Sequence, residues 1–239
     1  MRLSYSRLSA YLKCPYRYYL QYVEGFRPPA NALMSFGGSL HAALRDFYSQ
    51  EKFPPTLDDF YAHYYRNWTS FGFRNPEMEA KYFQEGLSIL EEYYDRNIEK
   101  YRPAFFVEWR FQVEIKGASF VGIVDRIDRI GDRDLRVVDY KTYGRNGADS
   151  LQLMLYHLAL EKIFGYPPQE LLFYFLKEQE IFPISAEQEH LERAQEILLK
   201  TKEEIERGIF PKNRGENCSS CDFQQFCELE EKGFLEEGF

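Results

Sequence analysis

Asp139 and Lys141 stand two residues apart in the apolar stretch VVDYKT, residues 137–142. A strand alternates faces with a period of two, so both side chains share the face of Val137 while Tyr140 points the other way. One strand earlier, in SFVGIVDRIDRI, Asp125 shares its face with Val121, Ile123 and Ile127. A carboxylate on an apolar face is expensive unless it is paired or bound to metal. Two such acids on neighbouring strands have the donor set for a hard divalent cation, Mg²⁺ or Mn²⁺. That cation acidifies a bound water and neutralises charge building on a phosphate, and an adjacent lysine orients or deprotonates the water. Plainer readings stand beside this one: Asp139 with Lys141 as an ion pair, and Asp125 paired with Arg126 or Arg129.

Four cysteines form a second constellation. Cys218, Cys221 and Cys227 follow a C-x2-C-x5-C spacing, and Cys14 lies some 200 residues upstream. In a chain with no secretory signal this set reads as a metal or cluster site rather than as two disulfides. Four thiolates suit zinc almost as well as a [4Fe–4S] cluster on spacing alone. Gln152 and Tyr156 are four apart on one helix, one above the other, which also fits a packed helix with a polar edge. His41 lies within a helical apolar stripe, where a half-buried, hydrogen-bonded histidine is the ordinary case. Glu108 falls on the polar face of its strand and is read as solvated.

The elements that must position these residues are legible from periodicity. Up to about residue 100 the chain is helical. A first helix capped by Ser4 or Ser6 runs through Leu8, Tyr11 and Leu12, and Pro15 opens a second turn. After a loop, GFRPPANALMSFGG, helical stripes follow in SLHAALRDFYSQ, LDDFYAHYYRNW and EMEAKYFQEGLSILEEYYDRNIEKY. At residue 105 the period changes. In FVEWRFQVEI, Val107, Trp109, Phe111, Val113 and Ile115 alternate with polar residues, and two short turns link this strand to those carrying Asp125 and Asp139. A helix capped by Asp149 or Ser150 then leads to LLFYFL, an apolar strand covered on both faces. Strand, helix, strand implies a parallel crossover attached to an antiparallel meander. Glu187 to Arg207 is a charged amphipathic helix leading to the cysteine cluster.

At 239 residues, 44% of them hydrophobic, the chain is long enough to bury a full core. It contains no apolar run of roughly 20 residues, so no membrane partner is expected. The amino terminus has no apolar signal core, and a cytoplasmic location is the default. The net charge of −8 counts against indiscriminate nucleic-acid binding. Against it, Arg126, Arg129, Arg133, Arg136, Lys141 and Arg145 form a candidate local basic patch, and the tail beyond Cys227 is acidic.

In order, H…GIVD…DYK…QLMLY resembles the RecB-like branch of the PD-(D/E)XK nucleases. The cysteine frame, CPYRYYL upstream and C-x2-C-x5-C downstream, resembles the iron–sulfur nucleases of that branch, among them the AddB nuclease domain and CRISPR-associated RecB-like exonucleases. The resemblance extends from Leu3 to Cys227. It implies a restriction-endonuclease-like α/β fold, a mixed sheet flanked by helices. It implies a single nuclease domain over 1–239: a helical region (1–103), a catalytic sheet core (104–185) and a C-terminal helix with the cysteine segment (186–239). His41, Asp125 and Asp139 would bind the catalytic metal, and Lys141 would activate or position the attacking water. Gln152 and Tyr156 would hold the lysine or the nucleic-acid backbone. Cys14, Cys218, Cys221 and Cys227 would bind one structural [4Fe–4S] cluster, tying the first helix to the last segment.

The leading expectation is therefore a metal-dependent deoxyribonuclease, an exonuclease preferring single-stranded DNA ends. No G-x-x-x-x-G-K-[ST] motor motif is present, so unwinding would come from a partner, a helicase or CRISPR adaptation and integrase proteins. The alternative is a non-catalytic nucleic-acid-binding or assembly module on the same fold. A zinc-stabilised interaction protein is a third reading, and it leaves Asp125 without a reason.

Overall fold

The structure is a computed structural model and describes residues 1–49, 54–144 and 148–231. Arg2–Leu3 forms a two-residue strand, β1. Helices α1 (Tyr5–Lys13) and α2 (Pro15–Tyr18) follow, then a π-helical turn, Tyr19–Val23. The Ser4 hydroxyl accepts the Arg7 N–H at 3.3 Å and caps α1, and Pro15 opens α2. Three longer helices come next, α3 (Ala32–Tyr48), α4 (Leu57–Asn67) and α5 (Pro76–Asn97).

Helix α3 begins at Ala32, inside the stretch expected to be loop. Asn31 caps it by accepting the Met34 N–H at 2.9 Å. Glycine inside the helix is costly, yet Gly37 has a reason to be there. A Cβ at that position would stand 2.9 Å from the Thr142 hydroxyl, so only glycine lets α3 lie this close to the end of the Asp139 strand.

The expected meander is present: β2 (Phe106–Ile115), β3 (Ala118–Arg129) and β4 (Leu135–Lys141) pair antiparallel in sequence order. Helix α6 (Ser150–Phe164), capped by Asp149, then carries the chain to β5 (Glu170–Phe175), which pairs parallel to β4. The expected crossover is thus realised. Strand β6 (Glu180–Ile184) closes the far edge. The sequence reading missed it because EIFPI is mostly exposed and contains Pro183, a residue confined to sheet edges. Helices α7 (Gln188–Glu206) and α8 (Gln224–Glu231) complete the order.

Two apolar layers sandwich the sheet. One joins α1, α6 and α7 to Phe120, Val124, Val137 and Phe173, and the other joins α3, α4 and α5 to Val138, Tyr140 and Tyr174. Alternation along β5 supplies both layers, which is why LLFYFL reads as a continuous apolar run.

Strand β3 has an unusual edge. One side pairs with β2 from Ala118 to Ile127, with one lapse at Asp125. The other is shared, with β1 opposite Ser119 and Phe120 and β4 opposite Arg126 to Arg129. Between these partners, residues 121–125 have no strand neighbour on that side among the described residues.

The candidate basic patch is not a patch. Arg126 is drawn into the core, where its guanidinium makes a bidentate pair with Asp128 (2.6 and 2.7 Å) and lies 3.6 Å from the Tyr48 ring centroid. Arg136 pairs with Glu170, and Arg129 lies over Phe105. Arg145 and residues 232–239 of the acidic tail lie outside the described residues. No helix among the described residues is long and apolar enough to cross a membrane.

Candidate active site

The acids meet where β3 parts from β4. Asp125 stands one residue before the β3–β4 ladder begins, and its carboxylate accepts the Tyr140 backbone N–H at 2.9 Å. A side chain thereby satisfies a donor that the departing strand leaves behind. Alternation along β3 slips at this point. Val124 and Ile127 both belong to the α6-side core while Ile123 is exposed, so Asp125 does not continue the apolar face expected from sequence.

Strand β2 slips at the same level. Its pairing with β3 lapses opposite Asp125, at Glu108, which adopts φ +41°. Val107 therefore packs on the α3 side while Trp109 and Phe111 pack on the α6 side. The expected single apolar face of β2 is corrected accordingly. Glu108 is not merely solvated either. It turns into a small cavity shared with His41 and Asp125, with Arg45 Nη1 at 3.5 Å. Periodicity carries no signal for this, because the backbone deviates at the residue concerned.

His41 reaches the site from α3, its Nδ1 3.4 Å from the Asp125 carboxylate and its ring edge-on to Tyr140. Burial, the largest single influence, lowers the imidazole pKa, but the Asp125 charge and hydrogen bond, with the Asp139 charge, together outweigh it and the net shift is upward. Burial likewise works to raise Asp125, and the His41 charge with the Tyr140 N–H holds it below the ordinary carboxylate range.

Asp139 and Lys141 face the opposite layer, toward α6. Asp139 is 2% exposed. Its Oδ1 accepts Gln152 Nε2 at 2.7 Å, while Gln152 Oε1 accepts Lys141 Nζ at 2.9 Å. Lys141 Nζ also lies 2.5 Å from Asp139 Oδ2. Tyr156, one turn further along α6, shares the Gln152 amide at 3.1 Å and donates to the Ile123 carbonyl at 2.8 Å, fixing α6 against the open stretch of β3. Gly122 makes this approach feasible, since a Cβ there would stand 2.5 Å from the Phe111 ring and 3.1 Å from that of Tyr156. Burial, and then the Asp125 charge, push the Asp139 carboxyl up to about 6.

All six residues singled out from sequence are joined by direct contacts in two sets, His41 with Asp125, and Asp139 with Lys141, Gln152 and Tyr156. The carboxylates suit a hard cation. Asp139 Oδ2 is buried and, despite the Lys141 charge beside it, accepts no hydrogen bond of good geometry. A metal would satisfy that oxygen. Among the described residues, however, no group of three or more His, Cys, Asp or Glu side chains is already drawn together as a metal cage.

The cysteines converge from both ends of the described chain on one cavity of about 100 Å³, and none is in a disulfide. Asn213 N–H points to Cys14 Sγ at 3.4 Å and Gly215 N–H to Cys218 Sγ at 3.5 Å. Four cysteine sulfurs lining one cavity are the donor set of a tetrathiolate-bound cluster or zinc ion, but among the described residues they are not drawn together as a formed metal site.

An α/β sandwich with two acids and a lysine at the parting of its central strands defines the class. Residues 2–228 match the model of the PD-(D/E)XK nuclease superfamily, and the chain belongs to that superfamily. It is 28% identical over 187 residues to a subunit of the ATP-dependent helicase/deoxyribonuclease of Streptococcus pyogenes serotype M1, covering 68% of this chain. The match spans only 17% of that relative's length. Among solved structures, an exonuclease candidate from Eubacterium rectale superposes with a TM-score of 0.60 at 14% identity, over 92% of this chain and 86% of that one. This likeness concerns the fold.

Proposed function

We propose that the chain is a divalent-metal-dependent deoxyribonuclease, an exonuclease that prefers single-stranded ends. The observation that carries the reading is the Asp139–Gln152–Lys141 triangle. One glutamine holds a buried acid and an amine together at the end of a core strand, an arrangement of little use to a surface that only binds.

In this reading His41, Asp125 and Asp139 would hold Mg²⁺ or Mn²⁺, which when bound would supply a water of lowered pKa and charge neutralisation at the phosphate. Lys141 orients the attacking water by a hydrogen bond donated from its ammonium Nζ, which also stabilises the hydroxide as the water's proton passes to solvent. Gln152 keeps the ammonium aimed, and Tyr156 keeps Gln152 against the strand. Cys14, Cys218, Cys221 and Cys227 hold a [4Fe–4S] cluster, with zinc the alternative, in a structural role. The relative's name supports a helicase as working partner more than proteins of CRISPR adaptation.

The test is cleavage of end-labelled single-stranded DNA with Mn²⁺ or Mg²⁺, with EDTA and Lys141→Ala as controls. Metal-dependent cleavage that Lys141→Ala abolishes supports the reading. A folded protein that cuts neither single strands nor duplex points instead to a binding module.

A further inference from the structure

The open edge of β3 faces a groove of about 480 Å³, whose lining includes Tyr5, Arg110, Phe111, Ile123, Gln152 and Tyr156. It is continuous with the acid site, because Gln152 is at once part of its wall and the partner of Asp139 and Lys141. Its surfaces divide by chemistry. Phe111, Ile123 and the rings of Tyr156 and Tyr5 give it an apolar floor and side. Ile123 is 39% exposed there, unusual for an isoleucine in a central strand. Arg110 stands exposed on the lining and makes no ion pair among the described residues. Most other arginines near the sheet are engaged, as Arg126, Arg129 and Arg136 show. The Tyr5 hydroxyl donates to Asp149 at 3.0 Å, pinning the wall formed by α1 to the start of α6.

We propose that this groove is a nucleotide subsite. It takes one unpaired nucleotide of the substrate strand next to the scissile phosphate, the base on the Tyr5–Phe111–Ile123 side and a phosphate at Arg110. An apolar face with a cation at its rim matches a nucleotide's own division into base and phosphate. The volume falls within the range of roughly 300–1,000 Å³ that encloses a small ligand, enough for one nucleotide and too little for a base pair. Preference for single strands then follows from a volume that holds one nucleotide and not a base pair. The subsite rests on the nuclease reading for its purpose, and its occupancy is measurable without cleavage.

The experiment uses the whole chain in EDTA with an oligodeoxynucleotide carrying 5-iodo-deoxyuridine near its end. After irradiation, the adduct is mapped by mass spectrometry, and binding is followed against salt for wild type and Arg110→Ala. The adduct is expected on Tyr5 or Phe111. Arg110→Ala is expected to reduce the slope of log K against log salt by about 0.7, the value for one phosphate contact on a single strand. Lys162→Ala, outside the groove, serves as the control variant. An adduct confined to other residues, or a slope that Arg110→Ala leaves unchanged, overturns the proposal. Groove adducts on a protein that never cuts DNA sustain the subsite and defeat the nuclease reading. Cutting without groove adducts defeats the subsite alone.

Discussion

The Tyr140 backbone N–H donates to the Asp125 carboxylate across 2.9 Å, at the level where β3 leaves β4. Asp125 thus has a structural duty besides any metal. Asp125→Ala leaves that donor without its acceptor and is expected to cost about 1–3 kcal/mol. Asp125→Asn keeps an oxygen for the N–H and is expected to unfold close to wild type, while both variants lose nuclease activity. Urea denaturation distinguishes them, and equal losses of stability would remove the structural duty.

Gln152 bonds two groups that have few other partners. Gln152→Leu keeps the side chain's bulk and deletes its bonds to Asp139, Lys141 and Tyr156, so Lys141 loses its aim. The expected fall in kcat is about 10–100-fold, as for residues that orient active groups indirectly, with KM for DNA little changed. Lys141→Ala is expected to lose about 10²–10⁴-fold. Steady-state kinetics on a labelled oligonucleotide provide the check, and an unchanged kcat in Gln152→Leu would refute the assignment.

Two groups in the site hold protons more tightly than they would in an unfolded chain: Asp139, raised to about 6, and His41, raised above its ordinary value. The stabilisation from the Asp139 proton is present below about pH 4, the unfolded carboxylate range, and is lost as pH rises through about 6. A cation held by both groups, as proposed, would have to displace the protons they carry. Mn²⁺ affinity is therefore expected to weaken as pH falls through about 6, with protons released on binding. Calorimetry in buffers of different ionisation enthalpy measures that release. Affinity independent of pH from about 5 to 8 would contradict the arrangement.

The cysteine frame predicts a brown protein if it holds iron and a colourless one if it holds zinc. Cys14→Ser is expected to bleach the chromophore and lower Tm by roughly 5–15 °C, the effect of reopening a long closed loop. Lys141→Ala is expected to keep the colour. Absorbance, metal analysis and a thermal melt suffice. A Cys14→Ser variant with unchanged metal content would exclude Cys14 as a ligand.

Much of this architecture is legible in the sequence because periodicity and caps reflect local physics. The meander, the α6 crossover and the spacing of Asp139, Lys141, Gln152 and Tyr156 follow from periods of 2 and 3.6. What escapes is non-local or irregular. Strand β1 is two residues long and exists only because β3 offers an edge. Strand β6 is exposed and interrupted by proline. The slips at Glu108 and Asp125 invert the faces on which alternation is counted, hiding Glu108 from any pattern argument. Arg126 reads as a surface cation, and only the tertiary fold reveals the tyrosines Tyr48, Tyr93 and Tyr140 that enclose it.

The shared edge of β3 also bears on how this protein tolerates change. The opening between β1 and β4 takes its length from the stretch of β3, residues 121–125, that neither strand covers, at about 3.3 Å per residue. Substitutions along its lining retune grip and depth while the length of uncovered strand stays the same. Only a rearrangement of strand pairing would lengthen it, so the reach of the opening is inherited with the topology itself.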